Sequence, residues 1–292
     1  MPDTRPKLSI VIVSWNVRDL LRRCLKSVYN QTKMPFEVFV VDNASADGSA
    51  DMVAAEFEQV KLIRNPKNRG FAAANNQAVK LAGGEYIIFL NDDTEVLDQA
   101  LDKMVTYLEK DESAGIAGAR LLNSDKSIQV GTARRFPSFR VLATMLLGLH
   151  SFLMKKPWLR RYYMLGDNFA KTQAVDQVMG ASLMIRRSII ERLGSFDEKF
   201  WIWFEEVDLC KRAKNAGYKV MVIAPAEIIH HKGKSFVQVI KLKKFWHLSK
   251  SLLHYSWKHL PPYQPVLLLV LWPVGALVAL LVQVTGLEPR NT

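Results

Sequence analysis

Cysteine is scarce: the 292 residues hold two, Cys24 and Cys210, which permit one bridge at most. A chain of one or two domains needs no bridge, so a disulfide scaffold is excluded, and no Cys/His spacing suits a zinc finger. Two common phosphate-binding loops are missing as well. Gly233-Lys234-Ser235 ends like a P-loop, but the glycine needed five positions earlier is Ile228, and no G-x-G-x-x-G occurs. This argues against a P-loop NTPase and a standard dinucleotide enzyme. There is no internal repeat or low-complexity tract. The apolar run Leu8 to Val13 is too short, and too soon followed by polar residues, for a signal peptide. At 49% apolar and 23% charged residues, the composition is that of a globular protein.

Acidic residues are short in one region only. Residues 1–130 carry 16 Lys/Arg against 18 Asp/Glu, whereas residues 131–260 carry 23 against 9, so the net +12 sits in the second half. Such a face suits nucleic acid, an anionic membrane or a phosphorylated substrate. No nucleic-acid module is recognisable, and a membrane-like segment adjoins the basic half, so nucleic acid is not expected as a partner.

From Leu260 to Leu287 there is no charge, and the nineteen residues 266–284 are almost wholly apolar, long enough as a helix for about one hydrocarbon core, roughly 28 Å. A membrane segment is expected there; a buried core helix or a hairpin broken at Pro273 is the alternative. Lys241, Lys243, Lys244, Lys250 and Lys258 precede it and Arg290 alone follows, which places the body on the cytoplasmic side. The sequons at Asn30 and Asn43 then carry no meaning. Val141 to Met154 is a shorter uncharged run between cationic flanks, expected as a helix lying in a membrane interface, with a plain core helix as the alternative.

Short β-branched runs alternate with helical periodicity over residues 1–122, the pattern of an open α/β sheet with helices on both faces. Strands are expected at Leu8 to Ser14, Phe36 to Asp42, Val60 to Arg64, Glu85 to Asn91 and Ile116 to Leu122. Later strands are expected at Gln177 to Arg186, Lys219 to Ala224 and Glu227 to His231. Ligands bind beyond the carboxyl ends of such strands. Asp42-Asn43 and Asn91-Asp92-Asp93-Thr94 stand there. The adjacent carboxylates Asp92 and Asp93 suit Mg²⁺ or Mn²⁺ shared with a diphosphate, or else form an acidic turn.

Three further clusters carry chemistry. Trp201 to Asp208 leads from aromatics into three acids at a helix start; these complement the helix dipole, or form a carboxylate in an apolar wall whose raised pKa makes it a base. His230-His231 leaves a strand toward the acidic site, with Lys232 and Lys234 suited to a diphosphate. Asn68 to Asn76 opens a helix with a glycine turn beside Arg69, an anion site or a simple junction.

SIVIVSWN (9–16), VVDNAS (40–45), NRGFAAANN (68–76), FLNDDT (89–94), WFEEVDLCKR (203–212) and H-x-x-G-x-S (230–235), in that order, resemble the family 2 inverting glycosyltransferases of GT-A fold, especially bacterial rhamnosyltransferase-like members. The resemblance implies a nucleotide-diphosphate sugar of dTDP or UDP type, held by Ser14, Asp42, Asn43, Arg69, Gly70, Asn75, Asn91 and Asp92. It implies a divalent metal on Asp93 and His230, and Glu206 as the base that activates the acceptor hydroxyl. Relatives commonly have Glu-Asp where Glu205-Glu206 stand, so Glu205 is the alternative base, and many have proline at the position of Asp92. The expected organisation is a transferase unit over 1–235, with a nucleotide half to 122 and an acceptor half to 235, then a basic linker and membrane segment over 236–292. The expected activity is sugar transfer to a polyprenyl-diphosphate-linked glycan at the cytoplasmic membrane face, in cell-surface polysaccharide synthesis. A soluble glycan or protein acceptor, or nucleotide-sugar binding without catalysis, are the alternatives.

Overall fold

The computed structural model describes residues 6–231 and 240–285. The first half follows the sequence pattern closely: β1 (Leu8–Ser14), α1 (Arg18–Gln31), β2 (Phe36–Asp42), α2 (Ser49–Glu56), β3 (Lys61–Arg64), α3 (Phe71–Val79), β4 (Tyr86–Asn91), β5 (Thr94–Val96), α4 (Ala100–Lys110) and β6 (Ala114–Leu122). β1 and β4 are buried on both faces, as continuous apolar runs such as YIIFL require. The three-residue β5 has no periodicity of its own; it exists because it pairs antiparallel with the last strand of the sheet.

The second half contains β7 (Ala133–Arg134), α5 (Phe139–Leu146), α6 (Pro157–Tyr162), β8 (Gln173–Val175), β9 (Gln177–Val178), β10 (Ser182–Arg186), α7 (Arg187–Leu193), α8 (Glu205–Asn215), β11 (Lys219–His230), α9 (Lys241–His259) and α10 (Tyr263–Thr285). The strand expected over Gln177 to Arg186 is two strands. β9 pairs with β7 in a separate ribbon and β10 joins the main sheet, with Gly180 between them. The two late strands expected from Lys219 are one strand, β11, whose register slips between Ile223 and Glu227.

Among the described residues the main sheet runs β3-β2-β1-β4-β10-β6-β11-β5, with β8 on β11. β1 to β4 are parallel and β10 runs against both its neighbours. The order reverses between β1 and β4, so a crevice opens beyond Ser14 and Asn91, where neighbouring connections leave in opposite directions. Apolar layers cover both faces, one built on α1, α2 and α4 and the other on α3, α7 and α8.

Two expectations are corrected in the C-terminal half. The interfacial helix over 141–154 stops at Leu146. Gly148 adopts φ +68°, its N–H bonds to Met145 O at 3.1 Å, and Leu149 N–H reaches back to Thr144 O at 2.9 Å, a Schellman ending that reverses the chain. The basic linker is the helix α9, whose Leu252 and Tyr255 are buried against α5, α10 and the 200–207 segment. The 266–284 segment lies in one helix, α10, continuous through Pro273. The boundary expected near 235 lies outside the described residues.

α9 is held by two carboxylates, the buried Asp208 and the partly exposed Asp197. Asp208 Oδ1 accepts from His259 Nε2 at 2.7 Å and faces Lys258 Nζ at 2.8 Å, while its Oδ2 takes Arg212 Nε at 2.8 Å. Asp197 receives His254 and the same Lys258. These partners hold the Asp208 carboxyl at about 2, below its ordinary 3.8, against the opposing push of burial. Asp208→Asn is expected to cost about 3 kcal/mol of stability at neutral pH, the low end for a broken buried pair because Lys258 is partly exposed. The depressed pKa makes this contribution full above the ordinary carboxylate value, and it fades as pH falls through about 2. Urea unfolding of the two proteins across pH measures it.

Candidate functional site

The crevice between β1 and β4 continues into a cavity of about 320 Å³ whose far wall is the 201–206 segment. Of the twelve expected site residues, Asn43, Gly70, Asn91, Asp92, Asp93, Glu205, Glu206 and His230 line it. Asp42 lines an adjoining hollow with Ser45, Arg64 and Asn65. Ser14 lies at the end of β1, next to the cavity-lining Val13 and Trp15. The Ser14 hydroxyl and Asp42 Oδ1 are buried polar atoms without a protein partner, which suits a polar ligand at these strand ends.

Arg69 and Asn75 are not brought to the cavity. Arg69 donates its backbone N–H to Asn43 Oδ1 at 2.9 Å, and its side chain is exposed. Asn75 is buried in α3, where its amide donates to Phe71 O at 2.9 Å. Asn43 has a structural task as well: its Nδ2 donates to Asn68 Oδ1 at 3.0 Å and Gly70 O at 3.3 Å, closing the loop that enters α3. That loop is tied to the opposite wall by Phe71 N–H on Trp201 O at 2.7 Å. A Cβ on Gly70, at φ +83°, would collide with the Trp201 carbonyl and ring, so only glycine permits the approach.

On the sheet side, the turn Asn91 to Thr94 is closed by Thr94 Oγ1 donating to Asn91 O at 2.7 Å. The backbone of Trp15 donates to Asp92 Oδ2 at 3.4 Å. His230, at the end of β11, brings Nε2 to 3.2 Å from Asp93 Oδ1 and 3.4 Å from Asn91 Nδ2. Its tautomer follows from Gln129, a residue that no sequence signal singled out. The Gln129 amide nitrogen donates to Asn123 Oδ1 and to His230 O, both at 3.0 Å, so its oxygen accepts from His230 Nδ1 at 2.8 Å. Nδ1 then carries the proton and Nε2 presents its lone pair to the cavity, as metal-binding histidines are oriented.

Among the described residues no group of three or more Asp, Glu, His or Cys is spaced to enclose a metal. Asp93 and His230 fit a partial site. Cis ligands of a metal held at about 2.1 Å stand about 3 Å apart, close to the 3.2 Å between Asp93 Oδ1 and His230 Nε2. Mg²⁺ and Mn²⁺ take their other ligands from water and substrate phosphates. His231 turns away, bonding Ser124 and Glu95. Lys232 to Ser235, the rest of the expected motif, lie outside the described residues.

The opposite wall is the first turn of α8. Trp203 and Phe204 precede it at φ +64° and +71°, a conformation uncommon for aromatic residues. It sends Glu205 and Glu206 to the cavity while Asp208, in the same turn, faces α9. Both glutamates are buried, each with one oxygen lacking a protein partner. Burial, then the neighbouring Glu206 charge, pushes Glu205 well above the ordinary glutamate value. Burial raises Glu206 too, but the Arg134 guanidinium opposes that rise. Arg134, also on the cavity wall, lies 5.7 Å from the Tyr163 ring centre. Both carboxyls are thus raised by burial, and only Glu206 has a cation, Arg134, favouring its ionised form. The Glu-Glu motif alone could not distinguish them, because the arginine that does so lies 72 positions away in the sequence.

Glu205→Gln replaces a buried acid by a neutral isostere. A raised native pKa lowers stability as pH climbs above the ordinary value of 4.5. The variant is expected to melt above the parent at neutral pH, by about 2–4 °C for each ~1 kcal/mol relieved, and level with it below pH 4.5. Thermal unfolding at several pH values reads the difference.

The family model described as Glycosyl transferase family 2 matches residues 9–194. The chain is 30% identical over 239 residues to the O-antigen biosynthesis protein RfbC of Myxococcus xanthus, covering 79% of this chain but only 18% of that protein. It is 27% identical over 240 residues to N-acetylglucosaminyl-diphospho-decaprenol L-rhamnosyltransferase of Mycobacterium tuberculosis, covering 78% of this chain and 77% of the relative. The mannosyltransferase PcManGT from Pyrobaculum calidifontis, solved with GDP-Man and Mn²⁺, superposes with a TM-score of 0.59 at 20% identity, covering 99% of this chain and 79% of that one. That likeness shows the fold, the GT-A type.

Proposed function

The chain belongs to glycosyl transferase family 2, and from that premise we propose that it moves a sugar, L-rhamnose as the leading candidate, from a dTDP- or UDP-type nucleotide sugar to a polyprenyl-diphosphate-linked glycan at the cytoplasmic face of a membrane. The observation that carries the reading is the cavity itself. A metal-compatible pair, Asp93 and His230, and a carboxylate base, Glu206, line one hollow at the reversal of strand order. The decaprenol-linked acceptor in the mycobacterial relative's name supports the lipid-linked substrate, and the exposed apolar α10 supports the membrane.

The donor nucleoside rests beyond β1 and β2, against Ser14, Asp42 and Asn43, with Gly70 allowing close approach and Asn91 and Asp92 facing the diphosphate. Asp93 and His230 would hold Mg²⁺ or Mn²⁺, which supplies charge neutralisation for the departing diphosphate. Gln129 keeps the His230 lone pair directed to that place. The acceptor hydroxyl lies against Glu206, which takes its proton as the oxygen attacks the anomeric carbon. The bond from that carbon to the diphosphate breaks on the opposite side, so the configuration inverts and the nucleotide diphosphate leaves. Arg134 favours the ionised form of Glu206 against the push of burial, whereas burial and the neighbouring carboxylate favour the protonated form of Glu205, which would add no second charge beside it.

Glu206→Gln is expected to lower kcat by about 10²- to 10⁴-fold with nucleotide affinity intact, the loss typical of a missing general base. In the parent the acidic limb of kcat/KM should lie above pH 4.5, because burial raises the base. Thermal-shift titration with dTDP, UDP and GDP, with and without Mn²⁺, identifies the donor. A metal-dependent shift that vanishes in Asp93→Asn supports the reading, and no shift with any nucleotide overturns it. Gln129→Met is expected to weaken metal-dependent nucleotide binding about 10- to 100-fold, the usual cost of losing a partner behind a metal ligand, while metal-free binding is unchanged.

A further inference from the structure

α10 has the length and composition of a membrane span, but its neighbours do not permit one. We propose that α10 lies in the plane of one leaflet of an anionic bilayer, with α5 and α9 beside it as a monotopic platform, rather than crossing the membrane. This rests on the membrane reading above and adds the orientation.

The 23 residues of α10 reach about 34 Å, so an upright, centred helix would put Val274 and Gly275 at the bilayer midplane. Gly275 is where α10 is most tightly packed. A Cβ there would collide with the Leu146 carbonyl of α5 and come within 3.2 Å of the Phe245 ring of α9. The contact continues along one side of α10. Trp272 Nε1 donates to Ser249 Oγ at 3.2 Å, Leu268 is fully buried, and Val278 comes against Gly148. α5, the reversal after it and the start of α9 are therefore level with the middle of the supposed span.

Those elements cannot sit at a bilayer midplane. Phe245 is preceded in the chain by Lys244 and the exposed Lys243. Lys250 Nζ stands 5.4 Å over the Trp246 ring, itself 6.1 Å from Trp272. Charges at that depth are strongly disfavoured. Residues 147–156 form turns rather than regular helix, and non-helical backbone is not tolerated against hydrocarbon. The middle of α10 must therefore lie at headgroup depth.

An upright helix inserted only by its C-terminal half is excluded by the distribution of its exposed face. Val266, Val270, Val274, Leu277, Leu281 and Val284 recur every three or four residues and are 49–76% exposed, forming one apolar stripe from end to end. Half-insertion would leave Val266 and Val270 in water; only the in-plane orientation covers the whole stripe. Exposed Trp246, Trp257 and Phe152 with Lys243, Lys250 and Lys155 supply the aromatic and cationic rim that an anionic surface matches.

The orientation also sets the height of the cavity. α9 carries the acceptor wall, since His247 stacks on Trp201 at 4.0 Å and Ser251 Oγ donates to Ile202 O at 2.8 Å. With α9 at the headgroups, the cavity stands at the membrane surface, where a lipid-linked sugar reaches it while its polyprenyl tail stays in the bilayer.

The test uses the full chain on vesicles of phosphatidylcholine and phosphatidylglycerol. Cys24 and Cys210 are buried, so a cysteine placed by Val266→Cys, Val270→Cys, Val274→Cys, Leu277→Cys, Leu281→Cys or Val284→Cys is the main site of nitroxide labelling. Oxygen and nickel relaxation then report depth. The expected result is one common depth for all six labels, within about one helical pitch of 5 Å, inside a single leaflet. A profile deepest at Val274 and shallow at both ends, or a Val284 label that ascorbate reduces only from the vesicle lumen, would overturn the proposal and leave the membrane reading intact. Failure to bind vesicles of either composition would overturn both. Lys243→Glu with Lys250→Glu should weaken binding to phosphatidylglycerol vesicles at least tenfold; no change in that binding would count against the cationic rim.

Discussion

The structure turns on one buried carboxylate. Asp208 receives Arg212 from its own helix and Lys258 and His259 from α9, so the helix that presents the cavity glutamates is fastened to the C-terminal helices by charge-assisted hydrogen bonds within 3 Å. Asp197 repeats the fastening with His254 and Lys258. Around these contacts Leu252, Tyr255, Leu268 and Phe204 close an apolar cluster. A carboxylate desolvated this fully is tolerable only when its oxygens are filled, so the position of α9 relative to α8 is strongly specified. The 201–206 wall of the cavity, its two glutamates and the exposed face of α10 all inherit that geometry.

The same turn of α8 shows how environment rather than residue type sets protonation. Asp208, surrounded by cations, is held near 2, whereas Glu205 and Glu206, facing an aromatic-walled cavity, are raised. Two buried glutamates in succession would be unfavourable in a helix that only had to fold. Here the cost is limited because burial favours the protonated form of Glu205 and Arg134 opposes the same push on Glu206. Opposite them Asp93 Oδ1 stands 3.2 Å from Nε2 of His230, whose ring is fixed by Gln129. On the proposed reading the cavity would hold separate places for a cation with its diphosphate and for a proton acceptor, as a displacement at a sugar carbon requires.

Most of the sheet was legible in the sequence because its strands are buried and the helices α1 and α4 strongly amphipathic; Leu8 to Ser14 and Phe36 to Asp42 match to the residue. The acids at strand ends were legible for the same reason, since their position follows from the strand and the rule that ligands collect there. What escaped depends on distant partners. β5 is three residues long and exists only through β11, and Gln129 and Arg134 acquire meaning only when folding brings them to His230 and Glu206. Arg69 and Asn75 sit inside a matching motif, yet local hydrogen bonds direct one to solvent and use the other within α3. The 141–154 run carries no charge, and nothing in its composition registered that Gly148 would end α5 by a left-handed residue.

The two left-handed aromatics before α8 connect these observations. Trp203 and Phe204 at positive φ are strained, and strain of this kind persists only where the surroundings over-determine it. Each surrounding restraint is identifiable: Phe71 N–H on Trp201 O from the donor loop, Ser251 on Ile202 O from α9, His247 stacked on Trp201 and Tyr255 against Phe204. Three of the four come from α9, the element that flanks α10. Loosening α9 would let the segment relax toward ordinary backbone angles and turn the glutamates out of the cavity. The glutamates are therefore held in place by the same helix that the proposed platform would set at a lipid surface, so on that reading one set of contacts would maintain both the geometry of the cavity and the seating of the protein.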